Sequence, residues 1–502
     1  MTSAAAFRFD NSFARELEGF YVARRPAVVP APRLLYLNEP LADELGLGVS
    51  ALDGEQSAAI FAGNTLPDGA QPLAQAYAGH QFGGFSPQLG DGRALLLGEV
   101  IDRHGKRRDI AFKGSGRTPF ARGGDGKAAV GPMLREVLVS EAMHALGIPT
   151  TRALAVVATG EPVYREQVLP GAVLTRVAAS HIRVGTFEFH AARGDMESVR
   201  KLADYTIARH DPGLAASPQR FLALLQHVAE RQAALIAQWM NVGFIHGVMN
   251  TDNMTISGET IDYGPCAFIE AYDPAAVFSS IDEQGRYAFG NQPDIACWNL
   301  ARLAETLLPL LSEDQQEAIA MANEVIARFP AQYRRHLLCG QRAKLGLRRA
   351  EPADDTADTA LADDWLSLLH AGRADFTLAW RRLADAAGGN EAPLRALFAD
   401  APRLDAWLAR WGARCASEAG GETPGTTLER ADAMRRVNPI VIARNHRVEE
   451  ALAAASDRGD LAPFRRLLDA VSHPYVETVE FAAYAEPAPA AVTACYRTFC
   501  GT

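Results

Sequence analysis

The chain has 502 residues, of which 48% are hydrophobic and 22% charged, a composition typical of a globular protein with two or three domains. Fifty Lys and Arg residues against 60 Asp and Glu residues leave a formal net charge of −10, which argues against a general nucleic-acid binder because phosphate contacts need a basic excess. No apolar run approaches the ~20 residues of a membrane span, and six cysteines are too few for a disulfide scaffold. Arg8 and Asp10 interrupt the apolar run that a secretory signal needs. We therefore expect a cytoplasmic protein that binds neither nucleic acid nor a membrane.

The sequence predicts a small β-rich region from Gly90 to about Val177. Residues 1–85 mix short helical and proline-rich pieces, and hydrophobic periodicity identifies no strong element among them. A helix is predicted over Pro132–Leu146, where Pro132 suits the first turn and Gly147 stops the helix. Alternating and apolar runs predict four strands, over Ala94–Ile101, Arg108–Lys113, Ala153–Ala158 and Ala172–Val177.

Helices dominate after about residue 185. Ser217 and Pro218 are predicted to cap and open a long amphipathic helix that ends at Gly243. Two more helices are predicted over Pro293–Leu311 and Glu313–Phe329, a solvated acidic linker over Glu351–Ala360, and a flexible loop over Ser417–Thr427.

Two features in the β-rich region can bind phosphate. The run Gln88–Arg93 contains a Gly-x-Gly turn just before a predicted strand, and glycines let backbone amides approach phosphate closely, although an ordinary tight turn explains the run as well. Lys113 ends the next strand, where a lysine can neutralise nucleotide phosphates, and Glu136 on the predicted helix is its natural ion-pair partner. A surface lysine and an exposed glutamate are the alternative interpretation.

Two further features follow the long helix. The run His246–Asn253 places Asn and Asp side chains directly after the helix, and such oxygen ligands can hold Mg²⁺, although Asx-rich turns have the same composition. Ile261-Asp262-Tyr-Gly264 lies nine residues further on. A short hairpin over Met254–Ile261 would bring Asp262 back to the same metal.

In this order the four features resemble the protein-kinase signature set, with its glycine-rich loop, strand lysine, helix glutamate, catalytic-loop asparagine and DFG-like triplet. Aligning His246 and Asn253 with the ends of the kinase catalytic loop places Val248 at the position of the catalytic aspartate. Valine cannot accept a proton, so this register predicts a pseudokinase. Asp252 is the carboxylate that could act instead.

Longer motifs resemble the selenoprotein O family over essentially the whole chain: Tyr77–Gly83, Pro87–Arg93, Phe112–Pro119, Gly243–Met254 and Ile261–Phe268. The resemblance implies an α+β, protein-kinase-like bilobal fold with N- and C-terminal helical elaborations. It also implies a protein adenylyltransferase that moves AMP from ATP to Ser, Thr or Tyr hydroxyls, releases pyrophosphate and uses Mg²⁺ or Mn²⁺. The nucleotide of the family is flipped relative to that of kinases.

The resemblance also implies roles for individual residues. Asp252 matches the proposed base, Asn253 and Asp262 the metal ligands, and Glu136 the partner of Lys113. The positions that match nucleotide contacts are Gly90, Gly92, Arg93, Lys113, Asp125, Gly126, Arg176, Arg183 and Asp262.

The family also suggests a regulatory disulfide between Cys266 and Cys500. Cys495 is a competing partner for Cys500, and six independent reduced thiols remain an equal alternative.

From the same resemblance we expect an N-terminal extension over 1–85, a kinase-like N-lobe over 86–185, a C-lobe with the catalytic loop over 186–345, and a helical extension with a redox tail over 346–502. The expected partners are protein substrates, including the chain itself, and the expected state is a monomer. Two other functions stay open, a protein kinase that uses Asp252 as its base and a non-catalytic pseudokinase that senses nucleotide or redox state.

Overall fold

The computed structural model describes residues 7–348, 351–418 and 424–499 as a mixed α+β fold. Its strands are β1 (Tyr21–Ala23), β2 (Arg33–Leu37), β3 (Leu73–Gln75), β4 (Gly79–Gln81), β5 (Gly84–Ser86), β6 (Ala94–Ile101), β7 (Arg107–Lys113), β8 (Ala128–Ala129), β9 (Arg152–Tyr164), β10 (Val168–Ala178), β11 (Phe244–Ile245) and β12 (Ala267–Phe268).

Eight of these strands form one antiparallel sheet in the order β1-β3-β6-β7-β10-β9-β2, with β8 paired to β10. Two small antiparallel pairs, β4 with β5 and β11 with β12, lie outside it. The register pairs Lys113 of β7 with Leu174 of β10. Because side chains two residues apart share a face of a strand, Lys113 and Arg176 lie on the same face of the sheet.

The helices of the described residues are α1 (Ser12–Glu16), α2 (Glu39–Glu44), α3 (Gly54–Phe61), α4 (Val130–Ala145), α5 (Val184–Ala191), α6 (Met196–His210), α7 (Arg220–Val242), α8 (Gln292–Leu311), α9 (Gln315–Lys344), α10 (Asp355–Gly372), α11 (Phe376–Ala387), α12 (Ala392–Arg395), α13 (Ala401–Ala416), α14 (Pro424–Arg435), α15 (Asn445–Arg458), α16 (Ala462–Ser472), α17 (Ala482–Ala485) and α18 (Ala490–Cys495). None of them combines the length and the apolar character needed to cross a membrane.

The predicted strands and the first predicted helix are confirmed. Strand β6 has the predicted bounds, and β7 begins one residue earlier. Strands β9 and β10 are longer than predicted because they pair with each other as a hairpin that extends to Tyr164 and Val168. Helix α4 begins at Val130, two residues before Pro132.

The long helices differ from prediction at their ends. Helix α7 stops at Gly243, whose φ of 76° suits a glycine, but it begins at Arg220, because Ser217 closes a turn by accepting from the Gln219 amide. Helix α9 continues to Lys344, although the prediction ended it at Phe329. It passes through Pro330 because buried side chains on both sides of the proline hold it against α7.

Three predicted connecting segments differ from the structure. The segment Glu351–Ala360 is largely exposed, as predicted, but it forms a 3₁₀ helix and the start of α10 rather than a linker, and Asp358 is fully buried between two arginines. Helix α14 begins at Pro424, inside the predicted loop, of which residues 419–423 lie outside the described part. Met254–Ile261 forms no hairpin; it is joined to Thr150 and Arg183 by single β-bridges.

Helix α4 lies at the centre of the largest hydrophobic core. One side of α4 packs on β9 and β10, and α15 and α16 pack on it as well. A second core surrounds Trp365, Trp380 and Trp407 in the C-terminal helices. The first core therefore joins residues of the sheet to residues more than 300 positions later in the chain.

Candidate active site

A cavity of about 1020 Å³ collects polar side chains from the sheet, α4, the loop after α7 and α15. Nine of the predicted site residues line it, namely Gly92, Arg93, Lys113, Glu136, Arg176, Arg183, Asp252, Asn253 and Asp262. Residues that lie more than 150 positions apart thus form one site. The volume is at the upper end of the range for small-molecule pockets and can accommodate a nucleoside triphosphate.

Three cationic side chains surround the carboxylate of Asp262. Its Oδ1 accepts from Lys113 Nζ and from Arg176 Nη1, each at 2.6 Å, and Arg183 Nη1 lies 3.8 Å from its Oδ2. Burial opposes the charge, but Arg176, Lys113 and Arg183 hold the pKa of Asp262 well below its ordinary value. The carboxylate is therefore ionised, and it is in contact with three cationic groups.

Lys113 is held from two sides. It ends β7, and its ammonium group forms a buried ion pair with Glu136 of α4 as well as the contact with Asp262. Glu136 comes from the first half of α4, whose position is fixed by the core on both sides. The expected strand lysine and helix glutamate are therefore paired in the structure.

The catalytic-loop candidate Asp252 lies in a 3₁₀ helix over Thr251–Asn253 and is buried. Its Oδ2 accepts from Gln81 Nε2 at 3.2 Å, whereas its Oδ1 has no hydrogen-bond partner among the described residues. Burial raises the pKa of Asp252 to about 6, although Arg183 and the hydrogen bond from Gln81 lower it. This carboxylate can take up a proton near neutral pH.

The hairpin of β4 and β5 fixes that loop, and sequence analysis missed its role. His80 donates its backbone amide to Thr251 Oγ1 at 2.7 Å, and Phe82 donates its amide to Asn250 Oδ1 at 3.1 Å. Gln81 provides the side-chain donor to Asp252. Strands of three residues leave almost no periodic signal, and the sequence marks this hairpin only through the family motif Tyr77–Gly83.

Three predicted nucleotide contacts do not line the cavity. Asp125 is partly exposed and pairs with Arg165 at 2.8 Å. Gly126, with a φ of 71°, lies against the backbone of Gly116, where a Cβ would come within 2.3 Å. Gly90 packs in the same way on Phe120. In this structure the two glycines satisfy close packing of turns rather than contact with the cavity.

The fit to a divalent cation depends on Asn253 and Asp262. Asn253 Nδ2 donates to the Val248 carbonyl at 3.0 Å, which leaves the amide oxygen as a possible ligand. Within the described ranges no cluster of three or more His, Cys, Asp or Glu side chains could hold a metal. Two oxygen ligands suit Mg²⁺, which usually completes its shell with water and substrate phosphates.

The structure describes Cys266 and Cys495, but not every cysteine of the predicted disulfide. Cys266 is buried, its thiol lies 3.6 Å from the Tyr263 carbonyl, and burial raises its pKa to about 11. Cys495 is exposed and lines the cavity. Cys500 lies outside the described residues, so the expected pair with Cys266 stays a prediction.

Comparison with known proteins gives matches along nearly the whole chain. The family described as Protein adenylyltransferase SelO matches residues 4–472. A Protein nucleotidyltransferase YdiU from Cereibacter sphaeroides is 64% identical over 99% of this chain and 100% of its own. A protein of the same name from Chromobacterium violaceum is 62% identical over 95% of this chain and 98% of its own. Another from Rhizobium etli is 58% identical over 99% of this chain and 98% of its own.

Proposed function

The chain belongs to the Protein adenylyltransferase SelO family, and from that premise we propose that its cavity transfers AMP from ATP to Ser, Thr or Tyr hydroxyls of proteins. One observation carries this proposal: Lys113, Arg176 and Arg183 surround an ionised Asp262 in the same cavity as the hydrogen-bond-poor carboxylate of Asp252. A cationic cluster and a proton acceptor are the two parts that the reaction needs.

The cations suit cleavage between the α- and β-phosphates. In adenylyl transfer, negative charge develops on the α-phosphoryl oxygens and on the pyrophosphate leaving group. Lys113 and the two arginines are already fixed by Glu136 and Asp262, so they stabilise that charge with little rearrangement. Arginine adds directional hydrogen bonds to phosphate oxygens.

Asp252 is the proposed proton acceptor. The acceptor hydroxyl must lose its proton as it attacks the α-phosphorus, and the alignment with the kinase catalytic loop puts Val248, which cannot accept a proton, at the position of the kinase base. Asp252 is one residue from Asn253, and its pKa of about 6 leaves it ionised at neutral pH but able to bind a proton. Gln81 orients the carboxylate through Oδ2.

Asn253 and Asp262 would hold Mg²⁺ or Mn²⁺ through their side-chain oxygens, and the ion would neutralise phosphate charge when bound. Lys113 and Arg176 keep Asp262 ionised, which is the state that a cation ligand requires.

We also propose the kinase-like bilobal division, with an N-lobe over 86–185 and a C-lobe over 186–345. This division is supported by the elements that contribute the site residues. Lys113 and Arg176 come from the sheet, whereas Asp252 and Asp262 come from the loop after α7. Strands β1 to β3 of the N-terminal extension complete the sheet, and α15 of the C-terminal extension lines the cavity.

The test is to incubate the protein with ATP labelled at the α- or the γ-phosphate and to measure label in protein. The wild type should incorporate α-label only. Asp252→Asn should incorporate none and still bind ATP, whereas Asp457→Asn, which changes an exposed carboxylate on the same cavity, should behave as the wild type.

Two results would contradict the proposal. Incorporation of γ-label would identify a phosphotransferase. ATP binding without any incorporation by the wild type would identify a non-catalytic pseudokinase.

A further inference from the structure

His181 lies directly behind Arg176 and does not line the cavity. It sits in the short connection between β10 and α5 and is almost completely buried. Arg176 Nε donates to His181 Nε2 at 3.3 Å, while Arg176 Nη1 donates to Asp262 Oδ1 at 2.6 Å. The guanidinium group is therefore held through two different nitrogens, one on the side of the cavity and one on the side of the core.

The other face of the imidazole ring is fixed by Asp109 of β7. Asp109 Oδ2 accepts from the His181 backbone amide at 2.8 Å and lies 2.9 Å from His181 Nδ1. Asp109 Oδ1 accepts from Arg209 Nη2 of α6 at 2.5 Å. Burial opposes the charge, but Arg209 and His181 bring the pKa of Asp109 to about 2, so this carboxylate is ionised.

These neighbours determine the protonation of His181. An ionised carboxylate only accepts hydrogen bonds, so Nδ1 must carry a proton. An arginine only donates, so Nε2 must be unprotonated and accept from Arg176 Nε. His181 is therefore neutral, in the tautomer with the proton on Nδ1. Burial and the nearby Arg176 favour the same neutral state, since they lower its pKa despite the bond to Asp109.

We propose that His181 is a positioning residue for the adenylyl-transfer reaction, holding the guanidinium group of Arg176 in the orientation that meets the phosphates. The proposal rests on the proposed function, in which Arg176 stabilises charge at the phosphates. A long arginine side chain has many rotamers, and a buried neutral acceptor at Nε selects one of them without adding charge to the site. Asp109 contributes indirectly, because it holds His181 in the tautomer whose Nε2 accepts a hydrogen bond from Arg176.

Two substitutions separate the two hydrogen bonds of the ring. In His181→Asn the amide can still donate to Asp109, but the side chain is too short to reach Arg176. In His181→Gln the amide oxygen can take the position of Nε2 and accept from Arg176. His210→Gln is the matched control, because His210 is a partly buried histidine nearby whose Nε2 contacts Ser180 Oγ at 2.8 Å rather than Arg176.

We expect kcat for α-label transfer to fall at least tenfold in His181→Asn and to stay within threefold of the wild type in His181→Gln and His210→Gln. The loss should lie mainly in kcat rather than in KM for ATP, because orientation matters most when charge develops at the α-phosphate. A purely structural histidine would not be rescued by glutamine, and thermal unfolding of each variant reports on that role separately.

The proposal is wrong if the Asn and Gln variants have the same kcat, whether that kcat is high or low. If His181→Asn does not fold, the Gln variant decides: activity within threefold of the wild type supports the proposal, and a larger loss overturns it. Absence of α-label in the wild type contradicts the proposed function instead, and this is seen before any variant is compared.

Discussion

Lys344→Met should stabilise the protein at neutral and acidic pH. Lys344 is the last residue of α9 and is buried among aromatic side chains, with Nζ 4.8 Å from the ring centre of Trp380 and 5.6 Å from that of Phe376. Its ammonium group donates to the Asn241 carbonyl at 2.7 Å, and it has no acidic partner in the part of the chain that the structure describes. A buried ammonium group without a counterion is costly.

The size of the effect follows from the pKa. Burial lowers the pKa of Lys344 from 10.5 to about 7. At ~1.4 kcal/mol per pH unit, this difference makes the charged form cost the folded state about 5 kcal/mol, an upper figure. Methionine removes that cost, but it leaves the Asn241 carbonyl without its donor and removes the attraction between the ammonium group and the two aromatic rings, which together cost roughly 2–4 kcal/mol. The net gain in the free energy of unfolding is about 1–3 kcal/mol at pH 6.

The gain depends on pH in a defined direction. The unfolded chain keeps the Lys344 proton up to pH 10.5, whereas the folded protein releases it above about pH 7. Rising pH therefore stabilises the wild type between these values, and the full penalty applies only below pH 7. The advantage of the methionine variant should be largest at pH 6 and should shrink or reverse by pH 9.5.

Thermal unfolding followed by tryptophan fluorescence at pH 6 and pH 9.5 measures this, because Trp380 is next to the substituted side chain. Lys201→Met, at an exposed position of α6, is the control and should show no pH-dependent change in Tm. A methionine variant that melts below the wild type at pH 6 would refute the reasoning. So would an advantage that is the same at both pH values.

Two other predictions concern charged groups. Asp358→Ala should lower the free energy of unfolding by roughly 3–5 kcal/mol, because it removes the carboxylate between Arg342 and Arg414; a Tm equal to that of the wild type would contradict this. Asp262→Ala should abolish α-label transfer, and a chelator should do the same to the wild type until Mg²⁺ or Mn²⁺ is added back. Undiminished transfer in either experiment would exclude a role of Asp262 as a metal ligand.

Sequence patterns predicted the elements that have a strong periodic signal or a clear stop. Strand β6 and the end of α7 at Gly243 are examples, since apolar runs and a helix-ending glycine report local structure directly. Strands β1 and β3 gave no such signal, because three residues that pair only within the folded sheet show no period. The acidic run around Asp358 was misread because its arginine partners lie 16 and 56 positions away.

The candidate site shows the same difference between residues with a local sequence signal and residues whose contacts form only in the folded chain. Lys113 and Glu136 were found because their spacing on a strand and a helix is local information, and the structure places them in one ion pair. The roles of Gln81 and His181 depend on contacts with Asp252 and Arg176 that only the folded chain creates. No spacing rule links Gln81 to a residue 171 positions later.

The position of α4 has a consequence for protein synthesis. This helix, which carries Glu136, is translated early, yet α15 and α16, which pack on it, are translated more than 300 residues later. Arg135 on α4 binds Glu449 of α15 at 2.9 Å, so the contact also fixes the turn next to Glu136. A nascent chain therefore holds all of the proposed site residues before α4 has its final packing. Such long sequence separations slow folding, and we expect adenylyl transfer to begin only after α15 and α16 have left the ribosome.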